Sequence, residues 1–323
     1  MRAVVVPEQG APEVLQLVEQ PEPVPGPGEV RVDVRAAGVN FLDIQQRSGT
    51  YRMRIPFGAG NEGAGVVSAV GPDVTGVAVG DRVAWAMVTG GYAEQVLLPA
   101  DRLVPVPDGV DDETAAAVLL QGLTAHYLTR STYPVQPGDD VLLHAAAGGM
   151  GLLLVQMITA AGGRLIGTAS TQEKSDLALA AGADVVLPSD SPDLVDRVRS
   201  LTGGQGVAAV YDGVGRSTFD TSRKSLRRRG VLVLFGVASG PVPPFDPQIL
   251  GKNSLYLTRP GLIDHIATPE ELRTRAAEVF DLVAGGTLRV RIGGRYPLAE
   301  AARAHEDLAA RRTTGKLLIL PGR

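Results

Sequence analysis

The stretch between residues 141 and 161 constrains this chain more than any other. An apolar run, Val141-Leu142-Leu143-His144-Ala145-Ala146, opens into Ala147-Gly148-Gly149-Met150-Gly151, and a second apolar run follows over 152–158. The first reads as a buried strand and the second as a helix, so the small residues stand at a strand-to-helix turn. Such a turn points backbone N–H groups and the positive end of a helix at one spot, which suits the pyrophosphate of a dinucleotide. Small residues also let the main chain approach a ligand and let the helix lie close to its strand. The spacing of Ala145, Gly148 and Gly151 meets G-x-G-x-x-G only loosely, and in isolation the turn would read as packing.

Its surroundings supply the context. From about Gly122 onward, strands are expected at 141–146, 164–168, 184–187, 207–211, 231–235 and 255–257. Helices are expected between them at 150–161, 172–181, 192–201 and 218–227. This alternation predicts a parallel, doubly wound sheet. Before residue 120 the texture is different. Short Val- and Ala-rich runs at 2–6, 29–36, 63–70 and 82–86 are separated by Gly and Pro clusters, the pattern of a mainly β unit. A short helix is expected at 41–48, with Gly49 as its C-terminal cap. After Pro260 come a helix (269–284), a strand (289–292), a helix (298–310) and a last strand (316–320), too few for a third domain. The expected organisation is a β-rich domain over 1–121, completed by 262–323, with a Rossmann-type domain of residues 122–261 inserted in it.

Composition narrows the chemistry. Cysteine is absent from the 323 residues, which removes disulfides, thiol nucleophiles and every thiolate metal site. The four histidines, His126, His144, His265 and His305, show no ligand spacing, so no metal is expected. A formal charge of -4, without a basic stripe and with 4% aromatic residues, argues against nucleic acid as a partner. Arg227-Arg228-Arg229 reads as a solvated helix end. No apolar run reaches the roughly 20 residues of a membrane-spanning helix, and the N-terminus does not resemble a signal peptide. The cytoplasm is the expected location.

A site that prefers NAD usually places an Asp or Glu about 20 residues past its glycines, on the ribose hydroxyl. Here the corresponding strand end is Gly167-Thr168-Ala169-Ser170-Thr171, with no acid. A carboxylate would repel a 2′-phosphate, whereas hydroxyls admit one. Lys174, one of only four lysines, follows within a helical turn and supplies charge, although beside Glu173 it also suits a solvated helix face. NADPH is therefore expected over NADH.

These residues resemble one family. Gly138-Asp139-Asp140-Val141-Leu142-Leu143-His144-Ala145-Ala146-Ala147-Gly148-Gly149-Met150-Gly151, with Gln156 beyond, is similar to the nucleotide motif of the zinc-free, zeta-crystallin-like quinone oxidoreductases of the medium-chain dehydrogenase/reductase superfamily. That motif usually ends in a basic residue or serine, where this chain has Thr159. Gly38-Val39-Asn40-Phe41-Leu42-Asp43, Gly60-Asn61-Glu62-Gly63-Ala64-Gly65, Gly80-Asp81-Arg82-Val83, Gly122-Leu123-Thr124-Ala125 and Leu257-Thr258-Arg259-Pro260 extend the resemblance over essentially the whole chain.

The resemblance implies a GroES-like catalytic domain around the Rossmann domain. Zinc-dependent members hold their metal with cysteine and a histidine of a Gly-His-Glu segment. Asn61-Glu62 stands there instead, and Glu62 reads as a structural carboxylate bonding backbone or an arginine. The resemblance places Asn40 and Tyr51 at the nicotinamide and substrate end, and Thr124 and Tyr127 near the nicotinamide ring and phosphates. Ala147, Gly148, Gly149, Met150 and Gly151 match the pyrophosphate loop, and Ser170 and Lys174 the 2′-phosphate contacts. Gly213, Phe235, Gly236, Val237, Thr258 and Arg259 match strand ends around the nicotinamide ribose and carboxamide, and Lys316 a position over the cofactor. For Tyr51 and Tyr127 the alternative is a core tyrosine with a bonded hydroxyl. Relatives can carry tyrosines near Gln45 and Pro188; this chain has neither.

The implied activity is hydride transfer from NADPH to a quinone without a metal, with Asn40 and Tyr51 as donors to the quinone oxygen. Two alternatives stay open: reduction of an enal or enone double bond, and a zeta-crystallin-like protein that binds NADPH or RNA with little turnover. An exposed edge strand near 255–257 and the habit of relatives both point to a homodimer.

Overall fold

A computed structural model describes residues 1–322, which divide into two compact units. One runs over Met1–Leu123 and resumes at Ile266; the other is continuous from Thr124 to His265. The divisions fall two to four residues later than expected, at 123/124 against 121/122 and at 265/266 against 261/262. Neither expected position coincides with a structural break: the helix Asp112–Tyr127 runs across the first, and the 3-10 turn Leu262–His265 follows the second and stays with the continuous unit.

In the continuous unit, six strands lie in the order Val185–Pro188, Arg164–Ala169, Asp140–Leu143, Val207–Asp212, Leu226–Leu234, Tyr256–Thr258. Every neighbouring pair is parallel. Helices on both faces bury the strands, so they are continuous Val, Leu, Ile and Ala runs rather than alternating ones. In chain order the sheet reads 3-2-1-4-5-6. The order reverses between Asp140–Leu143 and Val207–Asp212, where ligands bind in open sheets of this kind.

Two local expectations need correction. The helix expected to 227 ends at Ser225, and the strand starts at Leu226, not residue 231. Leu226 pairs with Val207, and that pairing pulls the backbone out of the helix. Arg227, Arg228 and Arg229 are consequently exposed strand residues, not a helix end, with Arg227 3.3 Å from Asp139. In the other unit, the strand expected at 289–292 is formed instead by Ile292–Pro297, which pairs with Lys316–Leu320.

The discontinuous unit holds a seven-stranded sheet. Its path runs Ile292–Pro297, Lys316–Leu320, Glu29–Val39, Glu62–Val70, Arg82–Ala86, Val104–Pro105, and Gln95–Pro99 also pairs with Glu29–Val39. A smaller sheet joins Gln16–Glu19, Arg2–Val6 and Phe57–Gly58. Alternate residues of Glu29–Val39 enter a core that includes Val30, Val32, Val34, Trp85, Tyr92, Leu98, Leu317 and Ile319. The last strand, Lys316–Leu320, lies antiparallel to Glu29–Val39, with Leu317 opposite Val39. No helix of the described residues is long and apolar enough to cross a membrane.

Candidate functional site

Because the six strands of the continuous unit are parallel, their carboxyl ends share one edge of the sheet. Most of the residues singled out by sequence gather there. Beyond Asp140–Leu143 the chain turns through an exposed Ala145 with φ 55°, a left-handed conformation costly for a residue with a Cβ. The helix Gly149–Ala160 then begins. Its N-cap, Gly148, offers no side-chain bond to the first-turn N–H groups, so these are left to other acceptors. A Cβ at Gly151 would come 2.3 Å from Ala145 O and 2.7 Å from Ala146 O, so only glycine lets the helix approach its strand this closely.

Ser170 is exposed just past Arg164–Ala169. Thr171 caps the next helix by accepting from Lys174 N at 3.3 Å, and the Lys174 side chain springs from that first turn. Gly213 follows Val207–Asp212 directly. Phe235, Gly236 and Val237 follow Leu226–Leu234, and a Cβ at Gly236 would lie 2.5 Å from Gly213 O. Thr258 ends the edge strand, and Arg259 Nη1 donates to Phe235 O at 3.0 Å.

Tyr127 occupies a different setting. It is buried, with its ring stacked on His265 at 4.1 Å between centroids, and burial pushes its hydroxyl up to about 12. These surroundings favour the core-tyrosine alternative. Thr124, three residues earlier, is half-buried.

Sequence reasoning did not find the buried polar chain beneath the turn. Asp212, at the end of its strand, is fully buried and accepts from Val214 N (2.8 Å), Gly215 N (3.0 Å), Thr218 Oγ1 (2.7 Å) and Ser222 Oγ (2.7 Å). Ser222 Oγ is 3.0 Å from His144 Nε2, and His144 Nδ1 is 3.2 Å from Thr168 Oγ1. Thr168 Oγ1 accepts from Ala145 N at 3.3 Å. Burial holds the His144 imidazole below its ordinary pKa, with the Asp212 charge opposing the shift. The only available signal was a lone His and Asp at the ends of two adjacent apolar runs.

The discontinuous unit carries its own buried polar cluster. Lys316 Nζ donates to Asn40 Oδ1 at 2.7 Å and forms a close ion pair with Glu62 Oε1, both charged side chains being essentially inaccessible. Asn40 Nδ2 donates to the same Glu62 oxygen at 2.7 Å, and Glu62 Oε2 accepts from Leu120 N at 2.8 Å. Gly38 leaves the room for this arrangement. A Cβ there would come 2.2 Å from Glu62 Oε1 and 2.7 Å from Lys316 Cε. Glu62 thus bonds backbone, as expected, but its cation is a lysine, and Lys316 is spent inside this unit on Glu62 and Asn40.

A second layer adjoins the first. Asp43 accepts from Asn40 N (2.7 Å), Asn61 Nδ2 (2.6 Å) and Tyr92 OH (3.0 Å). Burial nevertheless raises its carboxyl to about 6. Tyr92 OH also lies 3.3 Å from His305 Nε2, and burial depresses His305 to about 3, with Arg47 adding to the shift. Of the two candidate donors to a substrate, Asn40 is buried and oriented by Lys316 and Glu62, while Tyr51 is exposed.

Comparison with known proteins places this geometry in context. Residues 26–108 match the family model described as an alcohol dehydrogenase GroES-like domain, and residues 149–278 the model described as a zinc-binding dehydrogenase. The chain is 49% identical to a quinone oxidoreductase of Pseudomonas aeruginosa, over 97% of both proteins. It superposes on the Escherichia coli quinone oxidoreductase solved with NADPH at TM-score 0.97, with 43% identity over 99% of this chain and 100% of the other. A mycobacterial protein solved with NADPH gives TM-score 0.96 and 54% identity, over 99% and 100%.

The donors present do not fit the zinc that one family description implies. There is no cysteine. Asn61 gives its amide hydrogens to Asp43 and to Gln46 Oε1 at 2.6 Å, and Glu62 is closed by Lys316. Among the described residues no group of three His, Asp or Glu side chains has the arrangement of a metal site.

Proposed function

The chain belongs to the quinone oxidoreductases of the medium-chain dehydrogenase/reductase superfamily, and from that membership we propose that it is an NADPH:quinone oxidoreductase. The observation that carries the reading is the convergence, at the carboxyl ends of the parallel strands, of an uncapped helix N-terminus with an acid-free strand end bearing Ser170 and Lys174. The first suits a pyrophosphate and the second a 2′-phosphate. Gly213, Phe235, Gly236, Val237, Thr258 and Arg259 continue the same edge toward the nicotinamide end, where the absence of a Cβ at Gly213 and Gly236 lets the two turns pack against each other.

The bound cofactor supplies a hydride, and a proton from water completes reduction of the quinone to the hydroquinone. The protein's part is to orient and to stabilise the charge that develops on the quinone oxygen. We assign that donation to Asn40 and Tyr51. Asn40 suits the role because Lys316 on its oxygen and Glu62 on its nitrogen fix the amide orientation, and Glu62 takes only one of two Nδ2 hydrogens. A homodimer formed by pairing the edge strand Tyr256–Thr258 with its copy belongs to the same proposal, since Tyr256 is 59% exposed there.

The test is NADPH oxidation with a quinone and, in parallel, with a short enone. Faster turnover of the quinone is expected, together with a marked loss of kcat/KM for it when Asn40→Ala and Tyr51→Phe are combined. Preference for the enone, or quinone turnover indifferent to both substitutions, overturns the assignment.

A further inference from the structure

The buried chain from Asp212 to Ala145 has a hydrogen-bond direction that can be worked out. Asp212 only accepts, so the single hydroxyl hydrogen of Ser222 points at it across 2.7 Å. Ser222 Oγ must then accept from His144, which puts the imidazole hydrogen on Nε2. Nδ1 is left as an acceptor, and the Thr168 hydroxyl donates to it. The lone pairs of Thr168 Oγ1 are thereby free to accept from Ala145 N–H. His144, Thr168, Asp212 and Ser222 expose 5%, 1%, 0% and 0% of their surface, so water does not substitute for the links among these four side chains.

Two features show what the chain of bonds acts on. At one end stands Ala145, exposed and in the left-handed region, at the turn where helix Gly149–Ala160 begins. At the other end, Asp212 Oδ1 holds Val214 N and Gly215 N, and Asp212 O accepts from Phe235 N at 2.9 Å and Gly236 N at 3.3 Å. The relay crosses the sheet between Asp140–Leu143 and Val207–Asp212, where the strand order reverses.

We propose that Asp212, Ser222, His144 and Thr168 are positioning residues that hold the Ala145 turn in its pyrophosphate-receiving conformation and tie it to the Gly213–Gly215 turn at the nicotinamide end. This rests on the NADPH reading above and adds to it a set of residues that need touch neither cofactor nor substrate. A turn strained at a residue with a Cβ persists only where its surroundings over-determine it, and Thr168 is the link that reaches it.

The experiment measures NADPH dissociation constants by nucleotide fluorescence for wild type, Thr168→Val, Thr168→Ser and Ser222→Ala, with adenosine 2′-monophosphate as a competitor that lacks the pyrophosphate. Thr168→Val keeps the side-chain shape and deletes both bonds, leaving the Ala145 link unmade. We expect it to weaken NADPH about tenfold or more, and Ser222→Ala to weaken it by a smaller factor in the same direction. Thr168→Ser should restore binding to near wild type, and the competitor's inhibition constant should be the same in all four proteins. Ser222→Ala leaves Asp212 its Thr218 and backbone donors, so it tests the relay without stripping the carboxylate. NADPH affinity unchanged in both variants, or a loss shared equally by the competitor, overturns the inference. A wild-type chain that fails to bind NADPH overturns the cofactor reading itself, which is a different result.

Discussion

Lys316 and Glu62 meet inside the discontinuous unit through the space that a missing Cβ at Gly38 leaves open. Removing one partner of a buried pair strands the other in a poor solvent, at a cost of about 3–5 kcal/mol. Lys316→Met should therefore lower Tm sharply, and Gly38→Ala should do so without altering either charge. Differential scanning calorimetry distinguishes these outcomes from a neutral one. A Gly38→Ala protein with wild-type Tm would show that the cluster yields easily and is not packed as described.

Gly151→Ala puts a methyl 2.3 Å from Ala145 O, backbone that can retreat only by moving the turn proposed to receive the pyrophosphate. The expected result is a rise in KM for NADPH of about tenfold or more, with much of the stability retained because the helix can slide outward. Steady-state kinetics at saturating quinone provide the measurement.

Ser170 and Lys174 should set the nucleotide preference. Ser170→Asp combined with Lys174→Ala places a carboxylate where the sequence has none and removes a cation, so NADPH should weaken relative to NADH. The ratio of kcat/KM for the two cofactors is the quantity to follow, and an unchanged ratio would move the 2′-phosphate site elsewhere.

His305 makes acid stability predictable in sign. Its imidazole stays neutral in the folded chain down to about 3, whereas the unfolded chain takes up a proton near 6.5. The unfolded state thus binds more protons between these values, and stability is lost as pH falls from 6.5 toward 3, by up to about 1.4 kcal/mol per pH unit. Buried His144 acts in the same direction. Asp43, raised to about 6, opposes both, because the folded state keeps a proton that the unfolded one releases above about 3.8. Comparing wild type with His305→Gln cancels those two contributions. The stability advantage of wild type should shrink on acidification, and a constant difference in Tm from pH 6.5 to pH 4 would contradict this.

How far the chain could be read in advance depended on how local each signal was. The parallel sheet was legible because each buried strand is a continuous apolar run bounded by glycine or a charged turn, as at Val141-Leu142-Leu143 and Val207-Ala208-Ala209-Val210. The start of the strand at Leu226 was not, because its first exposed residues are three arginines that look like a helix end. The strand-to-helix turn could be found from Gly148 and Gly151, which are near in sequence, and the steric demand for glycine falls on Gly151. The Lys316–Glu62 pair joins positions 254 residues apart, and Ser222–His144 joins positions 78 apart; no periodicity announces either. Tyr127 shows the same limit, since an aromatic residue with a hydroxyl looks the same in sequence whether it faces a ligand or stacks on His265.

The antiparallel pairing of Lys316–Leu320 with Glu29–Val39 has a consequence for how the protein is made on the ribosome. The strand Glu29–Val39 waits for a neighbour that is synthesised much later, so its hydrogen-bonding edge and the carboxylate of Glu62 remain without their native cover until Lys316–Leu320 has been made. The Thr124–His265 unit, contiguous in the chain, has no such wait. Nascent chains stalled before residue 316 should present one finished parallel sheet and one open sheet, a natural client for chaperones until Lys316–Leu320 is added.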